Sequence, residues 1–211
     1  TKQLESILLN RLTTNYTYFM REPKHFDFLR EKILPNIKPE WGRISYQIWC
    51  AGCSSGEECY TLAMLLQDYK DQGGWLPSFS IVGTDISEQA LAVAQKGRYP
   101  VRELENIPAL WQQKYLSMDE AGTSFDIGRA IREKVRFQRM NLLKPSVGLG
   151  QYDLVLCRNV MIYFNEESRK KLIEKLYRAL KPGGYLFVGH TELLPRNHEL
   201  FEYVCPAVYR K

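Results

Sequence analysis

Two acidic residues after the first predicted strand are the clearest chemical feature of the sequence. The apolar run Tyr46 to Ala51 leads into the turn Gly52-Cys53-Ser54-Ser55-Gly56-Glu57-Glu58, and a helix-like segment follows. Glycines here let the backbone turn tightly and let a ligand approach closely, while the start of the helix exposes N–H donors. The spacing is not the G-x-G-x-x-G of dinucleotide sites. Glu57 and Glu58 would repel a pyrophosphate and suit a cationic ligand, although acids at a helix start also have a purely structural role against the helix dipole.

An aspartate ends the second predicted strand, in the segment Gly83-Thr84-Asp85-Ile86-Ser87. An acid at this place in a nucleotide-binding half accepts hydrogen bonds from the ribose hydroxyls. The alternative role of Asp85 is to cap the next helix, but Ser87 is better placed for that and leaves the carboxylate free. Acids at the first turn, an aspartate at the second strand end and no pyrophosphate fingerprint together indicate S-adenosylmethionine, an adenosyl ligand with a positively charged sulfonium. An enzyme that uses it needs chiefly to place a nucleophile in line with the methyl carbon.

Polar and aromatic residues end the fourth predicted strand, where Cys157-Arg158-Asn159-Val160-Met161-Ile162-Tyr163-Phe164 interrupts an apolar run. This position lies at the mouth of an α/β sheet, where ligands bind. Enzymes that methylate the exocyclic amine of adenine often carry an Asn-Pro-Pro-Tyr type turn here, and its absence argues against an amine substrate. Core packing is the alternative role for Tyr163 and Phe164.

These strand ends belong to a chain whose pattern predicts a doubly wound α/β sheet. Its 211 residues suit one α/β domain with a small insertion, and short β-rich runs alternate with helical patterns from Ile44 onward. Strands are predicted at Tyr46 to Ala51, Ser78 to Thr84, Val135 to Gln138, Tyr152 to Cys157, Tyr185 to His190 and Glu202 to Arg210, and helices at Glu57 to Tyr69, Glu88 to Lys96 and Glu166 to Leu180.

The segments outside this alternation have their own patterns. Before the sheet we predict a helix at Lys2 to Arg11, a polar and aromatic loop at Thr13 to Glu22 and a second helix between Pro23 and Pro35. Residues 99–139 are interpreted as a small antiparallel β insertion. The predicted organisation is therefore an N-terminal segment of helices and a loop at 1–36, and an S-adenosylmethionine-binding domain at 37–211 that contains the insertion.

Composition and charge exclude several other classes of protein. Hydrophobic residues make up 45% of the chain and charged residues 25%, which is ordinary globular usage and excludes a disordered, collagen-like or coiled-coil chain. The net charge of +5 is not gathered into a basic and aromatic stripe, so nucleic acid is not an expected partner. No apolar run approaches the roughly 18 residues that span a bilayer, and no signal-peptide pattern opens the chain. We expect a cytoplasmic protein without membrane insertion.

Cysteine and histidine residues give no sign of metal chemistry. The five cysteines are an odd number in a chain large enough to fold without disulfides, so we expect free thiols. Cys50 and Cys53 form a lone C-x-x-C without a second pair, and the three histidines are scattered along the chain. We therefore expect no metal, and a packing or capping role for His190.

Six segments of the sequence match one known pattern, in the right order and over nearly the whole chain. They are Thr13-Thr14-Asn15-Tyr16-Thr17-Tyr18-Phe19-Met20-Arg21-Glu22, Ala51-Gly52-Cys53-Ser54-Ser55-Gly56-Glu57-Glu58, Thr84-Asp85-Ile86-Ser87, Asn141-Leu142-Leu143, Cys157-Arg158-Asn159-Val160-Met161-Ile162-Tyr163-Phe164 and Gly189-His190-Thr191-Glu192. Together they resemble the chemotaxis receptor methyltransferases, the CheR family. The resemblance implies a Rossmann-like class I S-adenosylmethionine-dependent methyltransferase fold. It also implies a protein-glutamate O-methyltransferase that makes glutamate methyl esters on methyl-accepting chemotaxis receptors and leaves S-adenosylhomocysteine.

The same resemblance implies a set of site residues. Arg21 and Tyr163 would face the methyl group that is transferred, and Asp85 would take the ribose. Either Glu57 or Glu58 would contact the cofactor from the first turn, and the resemblance does not decide between them. The remaining residues expected at the cofactor are Asn15, Thr17, Arg21, Gly52, Asn141, Leu142, Arg158 and Asn159.

The chemistry of a glutamyl substrate agrees with this set. Its carboxylate has an unperturbed pKa of about 4.3, so it is ionised at neutral pH and attacks without a general base. What it needs is orientation, which an arginine fork supplies by holding one oxygen and presenting the other. Arg21 is the predicted clamp, with Tyr163 as the second wall.

The resemblance also implies partners, namely the cytoplasmic helices of chemotaxis receptors, with recruitment to receptor arrays at the inner face of the membrane. Family members usually carry an N-terminal basic helical domain that helps to recognise the receptor, and Lys2 to Arg11 corresponds at most to its linker. Some members bind a receptor pentapeptide through the β insertion. Ser117 to Arg132 lacks an obvious glycine-rich loop for this purpose, so no pentapeptide tether is expected. Two alternative functions stay open: a regulatory module that binds S-adenosylmethionine without turnover, and a small-molecule methyltransferase.

Overall fold

The computed structural model describes residues 16–38, 45–144 and 150–211. The helix predicted at Lys2 to Arg11 and the predicted cofactor residue Asn15 lie outside these ranges. Among the helices within them, none combines the length and the apolar character that crossing a bilayer requires.

Ten strands within the described residues form two sheets. They are β1 (Ser45–Ala51), β2 (Ser78–Asp85), β3 (Arg98–Pro100), β4 (Leu116–Met118), β5 (Ser124–Ile127), β6 (Val135–Arg139), β7 (Tyr152–Cys157), β8 (Leu180–Val188), β9 (Glu202–Cys205) and β10 (Val208–Arg210). The larger sheet has seven strands in the order β6-β2-β1-β7-β8-β10-β9, and the smaller sheet has three in the order β3-β5-β4.

Five strands of the larger sheet run parallel. β1 pairs with β2 on one side and with β7 on the other, β6 extends the sheet beyond β2, and β8 extends it beyond β7. Chain order therefore reverses between β1 and β7, and ligands of doubly wound sheets bind at such a point, outside the carboxyl ends of the strands. All six residues of β7 are buried, as expected for a strand covered on both faces. The predicted doubly wound, Rossmann-like α/β fold is confirmed.

Six α-helices within the described residues accompany these strands. They are α1 (Pro23–Phe28), α2 (Glu57–Asp71), α3 (Glu88–Lys96), α4 (Ala109–Tyr115), α5 (Arg129–Arg132) and α6 (Glu166–Ala179). The helices α2 and α3 begin directly after the turns that end β1 and β2, so their first turns lie at the carboxyl edge of the sheet. Ser87 caps α3 as predicted, because its Oγ accepts a hydrogen bond from the Ala90 N–H at 3.2 Å.

The helix predicted between Pro23 and Pro35 is not uniform. It begins as α1, continues as a π-helix at Leu29–Ile33 and ends in a 3₁₀ turn at Leu34–Asn36. These helix types differ only in which carbonyl accepts each N–H, and the pattern of apolar residues in the sequence does not record that choice.

The small sheet anchors the loop that precedes α1. β3 and β4 each pair antiparallel with β5, which confirms the small antiparallel insertion, while β6 pairs with β2 in the larger sheet. Phe19 is fully buried. Its ring packs edge-on against Tyr99 of β3, with centroids 5.0 Å apart, and in a tilted arrangement against Phe125 of β5, with centroids 5.9 Å apart. This aromatic contact fixes the position of the loop relative to the sheet.

The C-terminal segment is a hairpin and not the single strand predicted from Glu202 to Arg210. β9 and β10 pair antiparallel, with Pro206 and Ala207 between them. Ala207 has a φ of 65°, in the left-handed region that suits a reversal of the chain. Pro206 has no N–H with which to continue a strand ladder.

Candidate functional site

A cavity lies at the carboxyl ends of β1, β2 and β7. Its lining combines the loop before α1, the turn after β1, the end of β2, the segment after β6 and the loop after β7. The predicted site residues in this lining are Thr17, Arg21, Gly52, Glu58, Asp85, Asn141, Leu142, Arg158, Asn159 and Tyr163. Glu57 does not line the cavity, and Asn15 lies outside the described residues.

Arg158 ties three segments of the cavity together. It follows β7, and its side chain is only 2% exposed. Its Nη1 donates to Glu58 Oε2 on α2 at 3.0 Å. Its Nη2 donates to the backbone carbonyl oxygen of Arg21 and lies 3.4 Å from Glu22 Oε2, both in the loop before α1. The guanidinium also lies over the ring of Phe26, 5.4 Å from the ring centroid.

The contact with Arg158 affects whether the Glu58 carboxyl in the cavity wall is ionised. Burial raises the pKa of the Glu58 carboxyl, and the positive charge of Arg158 lowers it without reversing the shift. A buried charge is stable only where oppositely charged or hydrogen-bonding groups replace its lost water. The ionised form of Glu58 therefore depends on Arg158.

Glu57, the other acid of the same turn, is engaged elsewhere. The Oγ of Ser55 donates to its carboxylate, 2.8 Å from each oxygen, and the residue is 5% exposed. Burial raises the pKa of Glu57 to about 7. Adjacent residues of a helix point about 100° apart, and of these two acids Glu58 is the one that faces the cavity.

Asp85 is held at the end of β2 by two backbone N–H groups. Its Oδ2 accepts a hydrogen bond from the Ser54 N–H at 2.8 Å, and its Oδ1 accepts one from the Ser87 N–H at 2.9 Å. The expectation that capping by Ser87 leaves this carboxylate free is therefore wrong, because the carboxylate also connects the turn after β1 to the start of α3. Each carboxylate oxygen accepts more than one hydrogen bond, so Asp85 keeps acceptor capacity toward the cavity.

Gly52 permits a close approach between the turn after β1 and the loop after β7. It has a φ of 83°, and a Cβ at this position would lie 2.4 Å from Cγ2 of Val160. Its N–H donates to the carbonyl oxygen of Thr84 at 2.8 Å and so binds the turn to β2. A side chain here would strain the backbone and displace Val160 from the cavity wall.

The loop before α1 carries Arg21 between two residues in the left-handed region. Met20 and Glu22 have φ values of 59° and 56°. The Met20 N–H donates to Thr61 Oγ1 of α2 at 3.2 Å, and Arg21 Nη1 donates to the carbonyl oxygen of Tyr16 at 2.7 Å. Non-glycine residues adopt this region only where their surroundings hold them, so the loop has a defined shape over the cavity.

The segment after β6 contributes Asn141 and Leu142 from a turn that is held by two side chains. Asn141 Oδ1 accepts a hydrogen bond from the Leu143 N–H at 2.9 Å. Lys175 Nζ, on α6, donates to the carbonyl oxygens of Leu142 and Lys144, each at 2.9 Å. The backbone that lines this side of the cavity is therefore positioned from within and from α6.

The loop after β7 exposes Tyr163. This side chain is 46% exposed and lines the cavity, which excludes the core-packing alternative for it, whereas Phe164 packs against the core. Asn159 in the same loop has a φ of 60°. Arg158, Asn159 and Tyr163 thus face one cavity from a short, tightly turned segment.

Sequence reasoning missed three side chains that surround these residues. Glu22 Oε2 lies 2.8 Å from Nδ1 of His190, and His190, expected to pack or cap, has a 42% exposed side chain. Glu192 is 2% exposed and accepts hydrogen bonds from three backbone N–H groups. Each of the three stands inside one of the six quoted segments. Glu22 directly follows Arg21 in the sequence, and this adjacency is the signal that could have found it. Glu192 has no such neighbour among the predicted site residues.

The cluster of Glu22, His25 and His190 favours an ionic network over a metal site. The three residues bring one ligand atom each within 4.8 Å of one another, but Arg158 Nη2 lies 3.4 Å from the Glu22 oxygen that His190 contacts. A guanidinium at that distance competes with a cation for the same carboxylate. Burial, aided by the charge of Arg158, lowers the pKa of His25 to about 3, so this ring is neutral.

The cysteines are free thiols, as predicted. Burial raises the pKa of Cys50 to about 12 and lifts the pKa of Cys53 above its ordinary value. Because the thiolate is the reactive form, the C-x-x-C pair, of which Cys53 lines the cavity, has a packing role.

Comparison with known proteins finds relatives that span the whole domain. A family model described as CheR methyltransferase, SAM binding domain, matches residues 15–209. A chemotaxis protein methyltransferase of Borreliella burgdorferi is 40% identical over 97% of this chain and 73% of its own length. Chemotaxis protein methyltransferase 1 of Pseudomonas aeruginosa is 32% identical over 98% of this chain and 77% of its own length. Chemotaxis protein methyltransferase 2 of Vibrio cholerae is 34% identical over 95% and 69% respectively.

The pH dependence of stability in the variant Glu57→Gln tests whether Glu57 is buried. Its pKa is about 7 in the folded protein and near 4.5 in the unfolded chain, so between these values the folded protein holds more protons and wild-type stability falls as the pH rises. A glutamine side chain does not titrate in this range, so the variant lacks this loss of stability. Its free energy of unfolding relative to wild type should therefore rise by about 1–3 kcal/mol from pH 5 to pH 8, measured by urea titration.

The exposed Glu105→Gln is the matched control and should show no comparable gain. If wild type and Glu57→Gln lose stability in parallel over this pH range, Glu57 is not buried as described.

Proposed function

Because this chain belongs to the CheR methyltransferase family, we propose that it transfers the methyl group of S-adenosylmethionine to glutamyl side chains of methyl-accepting chemotaxis receptors. The relatives are named chemotaxis protein methyltransferases, and the proposal adds the substrate group to that name. The main support for it is one cavity at the reversal of strand order. Its lining contains acids from two strand ends, Glu58 and Asp85, together with Arg21 and Tyr163.

S-adenosylmethionine is the cofactor of this domain, because the matching family model is that of a SAM binding domain and the sheet has the order expected for such a domain. The donor set of the cavity fits this ligand. Glu58 suits its cationic end, and Asp85 suits the ribose hydroxyls. The buried Nε of Arg158 has no hydrogen-bond partner within the described residues, so the guanidinium retains a donor for the ligand's carboxylate. We assign the remaining contacts to Thr17, Gly52, Asn141, Leu142 and Asn159 in the same lining.

When bound, the cofactor supplies an electrophilic methyl group, which a carboxylate oxygen of the substrate takes as the carbon–sulfur bond breaks. A glutamyl carboxylate is ionised at neutral pH and carries no proton that must be removed. The residues of the chain therefore have to orient this carboxylate and keep water away from it. The neutral, buried His25 is not required as a base.

We assign the orientation of the carboxylate to Arg21 and Tyr163. They line the cavity from two different loops, one before α1 and one after β7. Arg21 donates from Nη1 to the Tyr16 carbonyl oxygen, and a guanidinium has further N–H groups for a second acceptor. A fork that binds one carboxylate oxygen leaves the other oxygen for attack.

The rim of the cavity supports a protein substrate over a small molecule. Large apolar side chains are exposed there and beside it, namely Tyr16, Leu143, Ile162 and Tyr163. Tyr16, Leu143 and Tyr163 line the same cavity, and apolar groups that are gathered in this way, unlike scattered ones, are typical of surfaces that meet another macromolecule. We propose the cytoplasmic helices of the receptor as that partner, at receptor arrays.

Transfer of a labelled methyl group to receptor fragments tests the proposed function. The chain, S-adenosylmethionine labelled in its methyl group and a receptor cytoplasmic fragment should give a labelled fragment. Mild base should release the label as methanol, because carboxyl methyl esters hydrolyse under these conditions and N-methyl groups do not. A fragment whose methylatable glutamates are replaced by alanine is the control.

Two other outcomes would contradict the proposal. Tight binding of S-adenosylhomocysteine in calorimetry, together with no transfer to any receptor fragment, would favour a regulatory module. Label that remains on the fragment after base treatment would show a substrate group other than a carboxylate.

The substitution Arg21→Ala should lower kcat for receptor methylation by about 100-fold, because the carboxylate loses its orientation. Arg21→Lys should recover only part of this loss, since an ammonium does not form the planar fork. Steady-state kinetics with the receptor fragment measure both effects. Arg178→Ala, at an exposed position of α6, is the matched control and should have the kcat of wild type. A wild-type kcat in Arg21→Ala would show that Arg21 does not orient the carboxylate.

A further inference from the structure

The carboxylate of Glu192 connects the end of β7 to the end of β8. The residue follows β8 by four positions and is 2% exposed. Its Oε2 accepts hydrogen bonds from the Asn159 N–H at 2.5 Å and from the Gly189 N–H at 3.0 Å, and its Oε1 accepts one from the Ile162 N–H at 3.1 Å. All three donors are main-chain groups, so the contact fixes backbone rather than side chains.

The loop that Glu192 holds carries three of the cavity residues. Arg158, Asn159 and Tyr163 lie within it or at its ends, and each lines the cavity. Asn159 has a φ of 60°, in the left-handed region that asparagine adopts more often than other non-glycine residues but still at some cost in energy. The shortest of the three Glu192 contacts is the one to this residue.

Gly189 shows how tightly the carboxylate and the loop are packed. A Cβ at Gly189 would lie 2.6 Å from Glu192 Oε2 and 3.0 Å from the backbone nitrogen of Asn159. These separations are shorter than ordinary van der Waals contact. Glycine is therefore needed at this position for the carboxylate to reach the Asn159 N–H.

We propose that Glu192 is a positioning residue for methyl transfer. Its carboxylate holds the backbone of the loop after β7 in the conformation in which Arg158, Asn159 and Tyr163 face the cofactor and the substrate. Glu192 does not line the cavity, and it acts only through the loop. The effect on transfer rests on the proposed function, whereas the effect on cofactor binding does not.

An amide cannot replace this carboxylate. A glutamine has one acceptor oxygen and an NH₂ group that donates. Whichever way the amide is turned, at least one of the three backbone N–H groups faces another donor, and the loop has to shift to relieve that contact. Glu192→Gln therefore keeps the size of the side chain and removes its positioning.

Binding of S-adenosylhomocysteine and methyl transfer, measured in Glu192→Gln and Gly189→Ala, test the proposal. Gly189→Ala reaches the same contact from the opposite side, and it decides the question if Glu192→Gln does not fold. Each variant should weaken binding at least about tenfold in calorimetry and lower kcat of transfer by about 100-fold, as expected for a misplacement near 1 Å.

Asp153→Asn is the matched control. Asp153 is a buried acid near the start of β7, at the opposite edge of the sheet, where it accepts hydrogen bonds from the Gln47 N–H and from Lys181 Nζ, each at 2.8 Å. This variant should lose thermal stability and, at a temperature where it is folded, bind S-adenosylhomocysteine within about twofold of wild type because its loop after β7 is intact.

Two results would overturn the proposal. One is wild-type affinity for S-adenosylhomocysteine in a folded Glu192→Gln or Gly189→Ala. The other is an equal loss of affinity in Asp153→Asn, which would show that any buried acid of the sheet has the same effect. If wild type binds S-adenosylhomocysteine and methylates no receptor fragment, the proposed function fails, and the affinity contrast still decides the role of Glu192.

Discussion

A buried guanidinium requires partners for its charge, and Arg158 obtains them from separate segments of the chain. Glu58 comes from the first turn of α2, and Glu22 and the Arg21 carbonyl oxygen come from the loop before α1. Removing a charge from water costs several kcal/mol unless such partners offset it. The strand end, the helix start and the covering loop are therefore coupled, and the cavity exists only while all three are in place.

Carboxylates that accept backbone N–H groups extend this coupling around the cavity. Asp85 connects the turn after β1 to the start of α3, and Glu192 connects the loop after β7 to the end of β8. Ionised acceptors make stronger hydrogen bonds than neutral ones, which suits segments that have to keep left-handed residues such as Asn159 in place. Both acids thus hold neighbouring loops together, and Asp85 is in addition assigned to the ligand.

The sequence predicted most of the fold and left part of the site open, for identifiable reasons. Alternating β-rich and helical patterns are local signals, and they located the parallel strands and the small sheet. The hairpin was missed although Pro206 interrupts the predicted strand, a position where proline argues against a continuous ladder. The left-handed φ of Ala207 that completes the turn is not visible in the sequence. Glu57 and Glu58 are adjacent, so spacing could not separate them until the orientation of α2 was known. Glu192 binds a loop about thirty positions earlier in the chain, and no local pattern encodes that contact.

A crystal structure of the chain with S-adenosylhomocysteine is the most direct test of this account, because it shows where the ligand lies relative to Arg158. We expect the ribose hydroxyls on Asp85, the amino-acid end of the ligand beside an intact Glu58–Arg158 pair, and Arg21 and Tyr163 on the side of the sulfur. A ligand bound away from Asp85 and Glu58, or bound with that ion pair broken, would show that the cavity does not bind the cofactor in this way.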